Sequence, residues 1–249
     1  VCGRYTSVTP AAALARFFDV DEVMADDLGA RYNVAPSQQV YAVARRGPTT
    51  TLGSLRWGLV PSWADDPRIG SRLINARAES VAERPAFRQA FARRRCLVPA
   101  DGFYEWQVGP AKAARQPWYI RHRDGRPLAF AGLWESWRPR GGASAAGDGD
   151  GGDRSQGRRI VSAAIVTTTA NEALAGLHDR MPVVLAPSSW EAWLDPANDD
   201  LAALQRLLTP APAAHFQCLA VRPLVNKVAN EGPELLVPAD VGTLVEDRA

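Results

Sequence analysis

This chain never sets strand, helix and strand in βαβ alternation. Short runs of β-branched and aromatic residues follow one another between glycine and proline breakers, with brief helical patterns interspersed. A doubly wound parallel sheet needs that alternation, because each parallel crossover takes a long connection, usually a helix. The pattern therefore predicts an α+β fold: a single domain with a largely antiparallel, barrel-like β-sheet flanked by helices. No G-x-G-x-x-G follows a strand and no G-x-x-x-x-G-K-[ST] occurs, so no nucleotide cofactor is expected, nor any other.

Strands are expected at 40–44 and 51–57, joined by a turn at Gly47-Pro48, and at 96–99, with 100–106 a turn and a second strand. Residues 117–122 and 127–134 read as a hairpin around Asp124-Gly125, and further strands are expected at 160–168 and 216–221. A helix starts at Thr9-Pro10, with Thr9 as its cap and Leu14, Phe17 and Phe18 as its apolar stripe. A second helical stretch follows Glu79 and ends near Arg93-Arg94-Arg95, with Phe87 and Phe91 four apart on one face. Its three arginines read as a solvated face. Two more helices are expected at 188–194, capped by serine, and at 201–208. The Gly-, Ala-, Ser- and Asp-rich stretch 139–157 reads as a flexible insertion in a loop. The domain then runs over 1–238, and 239–249 is a frayed tail.

A net charge of +2 permits nucleic-acid binding through a local patch without demanding it. Cys2, Cys96 and Cys218 make an odd count without metal-ligand spacing, so neither a disulfide scaffold nor a metal site is expected. There is no signal peptide, and no apolar run approaches the ~20 residues of a membrane span. The expectation is a cytoplasmic monomer.

The chemistry starts at Cys2. As an N-terminal residue it carries a free amine and a thiol on adjacent carbons, a pair that can form an imine with an aldehyde and close a thiazolidine ring. The amine titrates near ~8 and the thiol near ~8.5, so small shifts make either nucleophilic at neutral pH. Val1 has two readings: a GTG start codon whose methionine is removed ahead of the small Cys2 side chain, or a retained valine that leaves Cys2 an ordinary thiol. Glu105 lies among aromatics in Asp101-Gly102-Phe103-Tyr104-Glu105-Trp106, where desolvation raises a carboxyl pKa towards neutrality and suits it to acid–base work. Arginines interleaved with tryptophans suit single-stranded DNA, and the loop Trp57-Gly58-Leu59-Val60-Pro61-Ser62-Trp63 reads as a stacking wedge for bases or, more plainly, as a hydrophobic plug over the core.

Six segments in order carry a resemblance: Cys2-Gly3-Arg4, Arg31-Tyr32-Asn33-Val34-Ala35-Pro36, the Trp57–Trp63 loop, Ile74-Asn75-Ala76-Arg77-Ala78-Glu79, the Glu105 segment and His178-Asp179-Arg180-Met181-Pro182. Together they resemble the SRAP (SOS response-associated peptidase) family over nearly the whole chain. The resemblance implies covalent capture of abasic sites in single-stranded DNA through a thiazolidine at Cys2, which shields the lesion in the DNA damage response. It implies that Glu105 shuttles protons, His178 assists at the sugar and Asn75 positions the reacting groups. Arg4 and Arg77 would grip phosphates with Arg180 as a helper, and Trp63 and Trp106 would wedge against bases. The partner implied is single-stranded DNA bearing abasic sites, with the protein at the nucleoid when bound.

Each residue also has a plainer reading. Glu105 alone is a surface carboxylate, His178 a polar loop residue, Asn75 a helix cap and Lys227 a solvated loop cation, while His122 and His215 are structural and without partners. Two rival functions stay open: a thiol hydrolase or peptidase with Cys2 as nucleophile and His178 as base, and a non-covalent single-stranded DNA-binding module. An imine at the lesion would also make β-elimination, and hence a lyase activity, accessible.

Overall fold

The computed structural model describes residues 2–108, 115–139 and 159–243. Most of insertion 139–157, and the end of the tail beyond Thr243, lie outside the described residues. Fourteen strands and four short α-helices are present among them. The strands are β1 (Arg4–Ser7), β2 (Glu22–Val23), β3 (Arg31–Val34), β4 (Gln39–Arg46), β5 (Thr49–Trp57), β6 (Asn75–Arg77) and β7 (Arg95–Ala100). They continue with β8 (Gly102–Val108), β9 (Arg115–His122), β10 (Leu128–Trp137), β11 (Ile160–Thr169), β12 (Arg180–Pro182), β13 (Phe216–Val221) and β14 (Pro238–Thr243). The helices are α1 (Ala11–Phe17), α2 (Arg88–Arg93), α3 (Trp190–Leu194) and α4 (Leu201–Arg206).

The strands form two sheets. Six run in the order β14-β13-β9-β8-β1-β3; the other sheet is β12-β11-β10-β7-β4-β5-β2, with β6 added on β11. Pairing is antiparallel except where β11 meets β5 and β6 and where β2 meets β5. The fold is mostly β with few short helices, a curled antiparallel wall divided between two sheets, in keeping with the barrel-like expectation.

Side-chain alternation explains the layers. On β10, Leu128 and Phe130 enter the core shared with Cys2, Tyr5, Trp57 and Phe103, whereas Ala129, Ala131 and Leu133 face a second core under the helices with Phe91 and Trp193. Period-two alternation lets one strand serve both layers. Gly102, which opens β8, is required by close approach: a Cβ there would meet the Tyr119 ring at 2.5 Å.

Several local expectations are overturned. Residues 117–122 and 127–134 do not form a hairpin: β9 pairs with β8 and β13, β10 with β7 and β11, and the turn at Asp124-Gly125 carries the chain from one sheet to the other. Thr9 does not cap α1, because Asp101 takes up both the Thr9 amide and its hydroxyl; Pro10 occupies the cap position instead. Likewise no serine side chain caps α3. The long helix after Glu79 shrinks to α2, since Pro85 interrupts the stretch, although Phe87 and Phe91 share the helical core as expected. Asn75 caps nothing; it lies in a strand.

Two corrections concern charge. Arg95 is 3% exposed and donates to the carbonyls of Phe91, Ala92, Trp193, Asp195 and Asn198, so of the arginine run only the exposed Arg93 and half-buried Arg94 keep to the expected solvated face. His122 is not without partners: Asp124 and Arg126 bond its ring. The tail after Pro238 is not frayed at its start, because Pro238–Thr243 adds β14 to β13.

Candidate active site

Cys2 is completely buried, just ahead of β1, in the core that also holds Leu174, Leu177 and Met181. Those three side chains bracket the loop carrying His178. Burial, and next the nearby Glu105 carboxylate, push the Cys2 thiol far above its ordinary range. The thiol is protonated at neutral pH.

Three elements converge on this residue. β6 brings Asn75, whose Nδ2 donates to the Cys2 carbonyl oxygen at 2.9 Å. The Asn75 Oδ1 is buried and has no hydrogen-bond partner among the described residues. An unsatisfied buried acceptor is unfavourable by about 1–3 kcal/mol, so such an atom asks for a functional account. β8 brings Glu105, 2% exposed. Burial raises its pKa to about 7, with the Asp179 charge adding in the same direction. The loop after β11 brings His178. Its Nδ1 accepts from the Arg180 amide at 2.9 Å and lies 2.6 Å from the Asp179 carboxylate. Burial lowers its pKa, which favours the neutral ring at pH 7.

The DNA-facing candidates divide. The register of β1 on β8 pairs Arg4 with Tyr104 and Tyr5 with Phe103. Alternation therefore puts Arg4 and Trp106 on one face of that sheet, and Tyr5, Phe103 and Glu105 on the other. The Arg4 guanidinium carbon sits 5.9 Å above the Trp106 ring, and a shallow groove is lined by Arg4, Trp106, Arg115 and Asn226. Arg77 is exposed on the strand that carries Asn75, two residues along and so on the same side. Trp63 stands 43% exposed, its indole N–H reaching the Pro85 carbonyl at 3.4 Å, and is not drawn into the Cys2 cluster. Arg180 is 9% exposed, with its guanidinium fork on Glu79 at 2.6 and 3.0 Å and on the Thr167 carbonyl at 2.7 Å. A fork so engaged braces β12 against β11 and has little left for a phosphate. Sequence reasoning missed Asn33, Arg115 and Asn226; only the position of Asn33 inside the Arg31–Pro36 motif could have drawn notice.

A curled antiparallel sheet that buries Cys2 beside a carboxyl whose pKa is raised to about 7 defines a cysteine-centred site. The comparison with known families agrees: the model described as SOS response associated peptidase (SRAP) matches residues 1–228, and the chain belongs to that family. The abasic site processing protein YoqW of Bacillus subtilis strain 168 is 37% identical over 237 residues, covering 95% of this chain and 99% of YoqW. The abasic site processing protein YedK of Escherichia coli K12 is 31% identical over 243 residues, covering 96% and 100%. The rat abasic site processing protein HMCES is 32% identical over 212 residues, covering 78% of this chain and 59% of HMCES. A crystal structure of a protein from Bacteroides thetaiotaomicron superposes with a TM-score of 0.79 at 22% identity, covering 96% of this chain and all of that one. A phage-related protein from Bordetella bronchiseptica gives 0.63 at 29% identity, covering 89% and 94%. No helix among the described residues is long and apolar enough to cross a membrane.

Proposed function

We propose that this protein captures abasic sites in single-stranded DNA by covalent attachment through Cys2. The observation that carries the reading is the convergence of Glu105, at about 7, and the Asn75 amide on Cys2. Relatives named as abasic site processing proteins over nearly their full length support it.

The chemistry requires Cys2 to be the first residue, so whatever precedes it must be removed. Its free amine then attacks the aldehyde of the ring-opened deoxyribose. Asn75 Oδ1, the buried acceptor without a partner, is suited to take an N–H from that amine. The carbinolamine loses water, with Glu105 in its protonated form delivering the proton that lets hydroxide leave. The thiol then adds to the C=N carbon and its proton passes to the nitrogen, closing the thiazolidine. One water is released overall. A buried, protonated thiol suits this second step, because addition follows imine formation and needs no standing thiolate. His178, neutral at pH 7, would assist at the sugar. Arg4 and Arg77 hold phosphates, and Trp106 stacks against a base.

A thiol hydrolase fits less well, because burial holds the Cys2 thiol protonated. The test is a denaturing gel of protein incubated with single-stranded DNA carrying one abasic site. A heat-stable adduct is expected with wild type and none with undamaged DNA. Cys2→Ala should leave only an imine, trapped by borohydride or lost to strand cleavage. A wild-type adduct that Cys2→Ala reproduces in full would refute the thiazolidine.

A further inference from the structure

The face of the six-stranded sheet opposite Glu105 is covered by residues 223–236, a segment some 190 positions from the strand that holds it. That strand is β3, and the holding residue is Asn33, completely buried. Its Nδ2 donates to the carbonyls of Lys227 at 2.9 Å and Asn230 at 3.0 Å, with that of Val225 at 3.4 Å. Its Oδ1 accepts from Arg4 Nη1 at 2.8 Å, and the same nitrogen donates to the Val225 carbonyl at 2.8 Å. An amide has two donors and a carbonyl oxygen, and this site uses both ends. Facing carbonyls demand the N–H2 group and the guanidinium demands the oxygen, so neither Asp nor a flipped amide would serve.

The segment so held sets the groove. Asn226 Oδ1 accepts from the Trp106 indole N–H at 2.7 Å, fixing the ring over which Arg4 lies. Glu231 adds a bond to the Tyr32 amide at 2.7 Å, so the clamp has two points on β3. Leu224 and Val228 stand 41% and 45% exposed beside it.

We propose that Asn33 is a positioning residue that locks residues 223–230 and Arg4 into one network, and so builds the groove of Arg4, Trp106, Arg115 and Asn226 as a seat for one flanking nucleotide of the strand. This rests on the single-stranded DNA reading above. In the seat, Arg4 and Arg115 face the phosphodiester and Trp106, held by Asn226, takes the base. Asn33→Asp would turn a carboxylate towards three carbonyls and neutralise Arg4, loosening the segment and weakening the phosphate grip at once.

The experiment is equilibrium binding of an undamaged fluorescent oligonucleotide across a salt series, which reads the groove without the covalent step. Wild type, Asn33→Asp, Arg4→Ala and the double variant are compared, with thermal unfolding confirming that each is folded. Asn33→Asp should weaken binding about tenfold, as expected for loss of a hydrogen bond to a charged group. The slope of log K against log salt should become shallower by about 0.7, one phosphate's worth on single-stranded DNA. In the Arg4→Ala background the same change should do little, since the two act as one unit. Unchanged binding by folded Asn33→Asp, or a loss that simply adds to that of Arg4→Ala, overturns the proposal and leaves the DNA reading intact. Failure of wild type to bind the strand overturns both. Should Asn33→Asp not fold, Asn226→Ala decides: a severalfold weaker affinity at unchanged salt slope supports the seat, and unchanged affinity overturns it.

Discussion

The side-chain amide of Asn75 donates to the Cys2 carbonyl at 2.9 Å while its oxygen lies buried without a partner among the described residues. One end of the amide holds the nucleophilic residue in place. The other is an acceptor kept dry beside it. That division of labour needs an asparagine, because aspartate would present a second oxygen to the Cys2 carbonyl.

Asn75→Ala should therefore slow adduct formation about tenfold or more, the loss of one positioned hydrogen bond near the reacting group. Single-turnover rates at saturating abasic DNA check this. Affinity for undamaged strands should change little, since the amide touches the reacting residue and not the phosphate grip.

Glu105 makes a prediction about stability. Its folded pKa of about 7 stands above the ordinary value of 4.5, so between those pH values the folded state binds more protons than the unfolded one. Stability attributable to this group is thus greatest below about 4.5 and is lost as pH rises through about 7. Glu105→Gln should unfold at higher denaturant than wild type at pH 8, by on the order of 2–3 kcal/mol, and with no such gain at pH 4. Denaturant melts at the two pH values measure it.

The same substitution should mark the reaction. Wild-type crosslinking should show an inflection near pH 7 where Glu105 loses its proton. Glu105→Gln should be slower, by roughly 100-fold if general acid catalysis is its role, and its pH profile should lack that inflection.

Arg95 is a structural prediction away from the chemistry. Replacing it with alanine strands five carbonyls that now accept from its guanidinium, including those of Trp193 and Asp195 at the end of α3. The expected loss is at least about 3 kcal/mol by chemical denaturation. Crosslinking by the folded fraction should proceed at the wild-type rate.

How much of this the residues announced depends on range. Strands whose alternation serves two layers could be seen locally: β13 falls at 216–221 as expected, and β11 extends the expected 160–168 by one residue. What went unseen was decided by partners far along the chain. Asp124-Gly125 has hairpin chemistry, yet β9 and β10 found better neighbours in different sheets. Thr9 has cap chemistry, yet Asp101 claimed it. Arg95 sits in a basic run, and only the fold shows five carbonyls turned towards it. At the site, motif context singled out Cys2, Asn75, Glu105 and His178; Asn75 bonds the Cys2 carbonyl and the Glu105 charge bears on the Cys2 thiol. The exposures of Trp63 and Arg180, and the long-range clamp at Asn33, had no local signature.

The most direct test of the central claim is the intact mass of the protein after incubation with single-stranded DNA bearing one abasic site. The account predicts a species equal to protein beginning at Cys2 plus DNA minus one water, absent with undamaged DNA and with Cys2→Ser. Protein confirmed to begin at Cys2 that yields no such species would contradict it.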